Sequence, residues 1–362
     1  MAAKKIRTSF QTSKKPVGWA VVGLGMGKHH ANLIMKSPGL KLAAICDGNR
    51  ELLDKHTKDF PAGTAMYTTI DELLADKNVE GVSLVIPHDL HAPMAMKCLK
   101  AGRHVVLDKP FCLTVSDGKK MIALARVERR LLSAFHNRRW DVDYVTLQKL
   151  VDSGRLGKVR YLESRISSPG PIGAWRWRAN RRQMGGLLYD WGAHLIDQSL
   201  KLIPSLPVSV YGWMQRDTPV KPGHDIEDRM QALIQFEDGA AALVAWTMAT
   251  PAPFPRFIVE FEKGGVRIDD LIQSYPDKEE DRNRIIMHTH DNNAPVKHKT
   301  ELLPYVKAEW VQYYQNIGAA LTGKAKLIVK PEEAIRHVAI CEAAYKSVQS
   351  GKAERLPRTL FV

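Results

Sequence analysis

Cysteine is scarce in this chain: four residues among 362, at positions 46, 98, 112 and 341, with no C-x-x-C pair. So few and so scattered a set excludes a disulfide framework. Cys46 and Cys98 stand in apolar surroundings and are expected as small core residues, in a reducing cytoplasm. Long apolar runs are missing as well. A bilayer span needs about 20 apolar residues, and the longest uncharged stretch, residues 239–255, carries three prolines. No membrane association is expected. The basic N-terminus is not followed by an apolar segment with a cleavage site, so no signal peptide is read, and residues 1–15 are expected as a disordered lead-in. Glycine and proline, 25 and 20 residues, are near average and exclude a collagen-like or low-complexity chain. Acidic residues are outnumbered, 39 against 53 lysines and arginines, for a net charge of +14. The excess lies in short groups (Lys4/Lys5, Arg129/Arg130, Arg138/Arg139, Arg176 to Arg182) with no nucleic-acid motif beside them. It speaks to solubility and steering, and no nucleic-acid partner is expected.

What is present is order of two kinds. At roughly 150 residues per domain the length suits about two domains. In residues 16–136, buried β-rich runs (17–23, 40–47, 81–87, 104–108, 131–135) alternate with helical patterns of about ten residues. That alternation implies a parallel, doubly wound sheet. From residue 137 to 362 the pattern changes to strand-like runs separated by turns such as Glu237-Asp238-Gly239 and Lys263-Gly264-Gly265, with helices at 141–153, 190–203, 306–321 and 331–349. The expected fold is α/β: an N-terminal Rossmann dinucleotide-binding domain, then a C-terminal α+β domain with a largely antiparallel open sheet.

The first strand runs into Gly23-Leu24-Gly25-Met26-Gly27-Lys28-His29-His30. Glycines at a strand-to-helix turn let a pyrophosphate approach backbone N–H groups at the positive end of a helix. Lys28 stands where a strict G-x-G-x-x-G would place its third glycine. Asp47, at the end of the second strand, is spaced to accept from the adenosine ribose hydroxyls and to repel a 2′-phosphate. This favours NAD; Arg50, three residues on, softens the preference and keeps NADP as the alternative. Lys109 lies at the carboxyl end of a parallel strand, where open α/β sheets bind ligands. Asp190 and His194 fall at i, i+4 on one face of a helix. Taken singly, each also reads as a surface lysine or a helix-cap pair. His88-x-x-His91 and His288-x-His290 lack a third ligand at a sensible spacing, so no metal is expected.

Together these segments resemble the Gfo/Idh/MocA family, named for glucose–fructose oxidoreductase, inositol dehydrogenase and a rhizopine-catabolism protein. The resemblance rests on Gly23 to His30, on Pro87 and His91, on Ala101 to Pro110 with Asp108 where the family has glutamate, and on Gly185 to Asp197. It implies hydride transfer between a nicotinamide and a secondary alcohol of a sugar, sugar derivative or polyol, with His194 as base, Lys109 on the same oxygen and Asp190 positioning. It places Gly23 to Gly27, Asp47, Arg50, Pro87, His91, Asp108 and Lys109 at the cofactor, and implies a homodimer or homotetramer. Two alternatives use the same residues: an NAD-dependent glycosidase acting by transient oxidation and elimination, and a catalytically inactive NAD-binding regulator. Residues 175–182 hold four arginines and two tryptophans. Arg176, Trp177 and Arg178 are expected at the substrate, either as cofactor support or as a clamp on an anionic sugar.

Overall fold

The computed structural model describes residues 10–168, 176–217, 223–248, 250, 252–281, 285–290 and 298–362, without the side chains of residues 176 and 290. The chain divides into two units, Met1–His136 with Trp310–Ile335, and Asn137–Glu309 with Arg336–Val362. Residues 310–335, which a linear reading gives to the second domain, therefore pack with the first.

The first unit alternates β1 (Val17–Val22), α1 (Leu24–Met35), β2 (Leu40–Cys46), α2 (Arg50–His56), β3 (Ala65–Tyr67), α3 (Ile70–Ala75), β4 (Gly81–Leu84), α4 (His91–Lys100), β5 (His104–Leu107), α5 (Val115–Val127) and β6 (Leu132–Ala134). The six strands form one parallel sheet in the order β3-β2-β1-β4-β5-β6. The order reverses at β1, and such a switch point opens a ligand crevice at the carboxyl ends of the strands. β4, β5 and β6 are buried throughout, as strands covered on both faces must be.

The second unit begins with α6 (Val142–Asp152), β7 (Val159–Ser167), α7 (Arg181–Met184) and α8 (Trp191–Leu202), and continues through β8 (Pro207–Gln215), β9 (Arg229–Phe236), β10 (Ala241–Thr247), β11 (Phe257–Phe261), β12 (Gly264–Ile268), β13 (Ile285–His290) and β14 (His298–Leu303). Then α9 (Val311–Leu321) joins the first unit, and α10 (Pro331–Ser350) and β15 (Glu354–Arg355) end the chain. Nine strands form a sheet in the order β14-β13-β12-β11-β7-β10-β9-β8-β15, antiparallel except for the β7/β10 pair. One face lies under α8 and α10: α8 packs on β7 and β10, and Ala344 of α10 sits against Gly212 of β8. On the other face Tyr211 and Trp213 of β8 remain 45% and 41% exposed, beside Leu233 and Leu243.

The lead-in needs a correction. Residues 1–9 lie outside the described residues, but residues 10–15 are not a disordered tail. Phe10 is buried, the Gln11 N–H donates to the Arg129 carbonyl at 3.0 Å, and the Ser13 N–H donates to the Leu321 carbonyl at 2.8 Å. Phe10 stands among polar and basic neighbours with no periodic apolar run, too little signal to predict that anchoring. All four cysteines are free and buried, Cys46 and Cys98 as expected of core residues, and burial pushes the thiols of these two up to about 12.

Candidate active site

At the end of β1, Gly23 turns the chain at φ +90°, and a Cβ there would collide with the Val85 carbonyl. Only glycine fits the position. α1 follows with no cap from its N-cap residue Gly23; apart from the Leu24 N–H, which Asp47 takes, its leading N–H groups and positive dipole end are offered to an anion. Gly25 and Met26 are exposed there, whereas Gly27 is buried against Val21 and serves helix–strand packing. Asp47 ties this turn to β2: its Oδ2 accepts the Leu24 N–H at 2.7 Å and its Oδ1 accepts the Asn49 N–H at 2.9 Å. Each oxygen keeps a second lone pair for a ribose hydroxyl. These groups fit an adenine dinucleotide, with pyrophosphate at the start of α1 and ribose on Asp47. Arg50 is exposed and pairs with Asp54 at 3.0 Å.

Further along the same sheet, Pro87 opens a single 3₁₀ turn, His88–Leu90, that leads into α4. His91 is fully buried, its Nδ1 2.8 Å from the Pro110 carbonyl and its Nε2 3.1 Å from the Ile86 carbonyl. Burial holds its pKa below the usual imidazole range, so the neutral ring donates to one of the two at a time and staples the ends of β4 and β5 together. Lys109 follows β5, half-buried, with its N–H donating to Asp108 Oδ1 at 2.9 Å. Behind it the buried His30 is held down to about 4 by desolvation, with Asp108 opposing. Its Nδ1 meets the Tyr314 hydroxyl at 2.8 Å, and Tyr314 meets Ser83 at 2.7 Å. Nothing in the motif around His30 announces its partner 284 positions away.

In the second unit, Asp190 precedes α8 and His194 lies one turn into it, both buried. The helix is pinned at three points. Trp191 packs between the Arg138 guanidinium, 3.9 Å from its ring centroid, and Trp246. Asp197 holds Arg139 through two bonds of 2.7 Å. Gln198 donates to the Arg138 carbonyl at 2.7 Å and accepts from Arg256 at 2.5 Å. Arg256 lies fully buried 3.4 Å from Asp143, where desolvation works against both charges and outweighs their mutual attraction. Of the arginines before the helix, Arg178 stacks on Trp177 at 4.4 Å, Arg181 pairs with Glu227, and Arg182 is exposed. The side chain of Arg176 lies outside the described residues. Sequence reasoning singled out Asp190 and His194 by their spacing, but Glu227, Arg138 and Arg139 carry no motif signal.

A glycine turn at a helix head, an acid after β2 and a separate α+β unit carrying a buried Asp190 and His194 are the frame of a dinucleotide-dependent oxidoreductase. Residues 17–136 match the model of an oxidoreductase family's NAD-binding Rossmann fold, and residues 148–356 match that of its C-terminal alpha/beta domain. The chain belongs to the Gfo/Idh/MocA oxidoreductase family. It is 36% identical over 248 residues to the Escherichia coli (strain K12) oxidoreductase YdgJ, covering 68% of this chain and 69% of that one. It is 29% identical to the Bacillus subtilis (strain 168) scyllo-inositol 2-dehydrogenase (NADP(+)) IolW, over 91% of this chain and 93% of the relative. Among solved structures it superposes on an aldose-aldose oxidoreductase from Caulobacter crescentus complexed with glycerol, with a TM-score of 0.77, 25% identity and coverage of 94% and 100%. Among the described residues no helix is long and apolar enough to cross a membrane.

Proposed function

We propose that this oxidoreductase acts on a secondary alcohol carbon of a sugar, sugar derivative or polyol. The observation that carries the reading is the buried Asp190–His194 pair at the head of α8, in a chain whose relatives include an inositol dehydrogenase. When bound, the nicotinamide supplies the hydride acceptor or donor. The chain's own residues handle the proton and the charge. His194 accepts the hydroxyl proton, the Lys109 ammonium holds the same oxygen as negative charge develops on it, and Asp190 orients the hydroxyl. Asp47 selects NAD over NADP. Four free, buried cysteines suit a reducing cytoplasm. The open sheet face, with a groove of 410 Å³ lined by Tyr211, Trp213, Gln231, Leu233 and Leu243, supports pairing of two copies.

The experiment is a panel of inositols, sugars and glycosides followed at the nicotinamide absorbance band with NAD and with NADP, in wild type and Lys109→Met. The expected result is net reduction with a polyol or sugar in wild type. In the variant, turnover falls by roughly 10² to 10⁴, while NADH affinity by fluorescence titration is kept. Near-normal kcat in Lys109→Met overturns the role of the lysine. Cleavage of a glycoside with no net reduction identifies the glycosidase instead.

A further inference from the structure

We infer that Glu227, outside every motif that marks the family, is a positioning residue that locks the loop delivering Asp190 and His194. This rests on the catalytic reading of those two residues. Glu227 is buried just ahead of β9, 40 positions beyond the loop it binds. Three donors converge on its carboxylate. Oε1 accepts the Leu187 N–H at 2.7 Å and the Tyr345 hydroxyl at 2.6 Å, and Oε2 takes the Arg181 guanidinium. Arg181 begins α7 and Leu187 starts the 3₁₀ turn Leu187–Tyr189, so one carboxylate grips both ends of the segment between them.

That segment is shaped around the grip. Gly185 and Gly186 sit at φ +87° and +113°. A Cβ on Gly186 would collide with the Tyr345 hydroxyl and come within 2.8 Å of Glu227 Oε1. The paired glycines therefore serve a carboxylate and a tyrosine that stand directly against the backbone. Tyr345 also stacks on Tyr189 at 5.8 Å with the planes 10° apart, and Cys341 reaches the Leu188 carbonyl at 3.5 Å. Leu187, Leu188 and Tyr189 are thus each held by α10 or by Glu227, immediately before Asp190. A carboxylate is the group this requires, because it accepts three donors and brings none. The amide of a glutamine turns an NH₂ toward one of the three.

The test compares Glu227→Gln and Tyr345→Phe with wild type, His194→Ala and the Glu227→Gln/His194→Ala double variant. Activity is read on myo-inositol, scyllo-inositol and glucose with NAD; a histidine-selective ¹⁵N NMR spectrum, in which the His194 signal is assigned by its loss in His194→Ala, needs no substrate. Glu227→Gln is expected to lower kcat by about tenfold or more with KM for NAD within twofold, to shift the His194 signal, and to add no further loss on the His194→Ala background. An unshifted His194 signal with kcat within twofold of wild type overturns the proposal, as do losses that multiply in the double variant. Tyr345→Phe keeps the carboxylate and removes one donor. If Glu227→Gln does not fold, a smaller loss and shift in Tyr345→Phe support the lock, and wild-type behaviour overturns it. Full activity in His194→Ala would instead bring down the catalytic reading and this role with it, whereas an inactive His194→Ala beside an unimpaired Glu227→Gln removes the lock alone.

Discussion

Asp197 grips Arg139 through two 2.7 Å bonds at a depth where both side chains are only 6% exposed, three residues past His194 on the same helix. A paired buried charge adds little over an apolar pair of the same volume, but removing one partner strands the other and costs about 3–5 kcal/mol. Asp197→Asn is expected to destabilise the second unit by about that much, and to lower its melting temperature by roughly 10 °C at 2–4 °C per kcal/mol. Calorimetry or circular dichroism melts check this, and an unchanged transition refutes it.

Asp47 presents a full negative charge to the ribose while its two oxygens hold the backbone of the glycine turn. Asp47→Asn keeps the acceptor geometry at one oxygen and removes the charge. The ratio of kcat/KM for NAD to that for NADP is expected to fall about tenfold, a change of about 1.4 kcal/mol. Arg50→Ala should lower the residual use of NADP. An unchanged ratio in Asp47→Asn removes the aspartate from cofactor selection.

Buried histidines set an acid limit on the first unit. Desolvation holds His30 down to about 4 and His104 to about 3, with Arg130 also lowering the latter. The unfolded chain therefore binds protons that the folded unit refuses below about pH 6.5. The stability each neutral ring contributes is present above that pH and is lost as the pH falls toward the folded value. At pH 4.5 the loss is about 2.7 kcal/mol for each histidine relative to pH 7, at about 1.36 kcal/mol per unit. Urea titrations at pH 7 and 4.5 measure it, and His30→Gln should lose about 2.7 kcal/mol of this pH dependence, the rest staying with His104 and the buried His91. A stability independent of pH across that window refutes the assignment.

The exposed pair on β8 gives an association test. Tyr211→Lys with Trp213→Lys is expected to convert a homodimer or homotetramer to smaller species by light scattering at micromolar concentration, without changing the fold. A wild-type monomer, or an assembly indifferent to both lysines, assigns that face another use.

The strands that position the nucleotide site were legible because β1, β2, β4 and β5 are short apolar runs ended by glycine, proline or an acid, as a parallel sheet buried on both faces demands. β3, only Ala65–Tyr67, and β14, the alternating His298–Leu303 at a sheet edge, lack such a run and were not predicted. α1 begins at Leu24, inside the glycine-rich turn itself, so Gly25 and Gly27, which read as part of a strand-to-helix turn, are helical once docked on β1. At the candidate site, Asp190 and His194 were visible through a spacing of four. Glu227 and Arg139 were not, since a partner far away in the chain leaves no local periodicity. The same reason hid the attachment of α9.

That attachment also has a consequence in time. Tyr314 of α9 closes the His30–Ser83 cluster, and the neighbouring Tyr313 hydroxyl donates to Ser133 at 2.9 Å, so the sheet of the first unit is capped by residues near the end of the chain. A ribosome that has finished residue 136 still has 199 residues to add before residue 335 emerges, roughly 10–40 s at about 5–20 residues per second. Over that interval the nascent nucleotide-binding sheet has a polar seam waiting for its tyrosines, while the entire nine-strand platform except β15 is being synthesised. The unit that starts first is completed almost last.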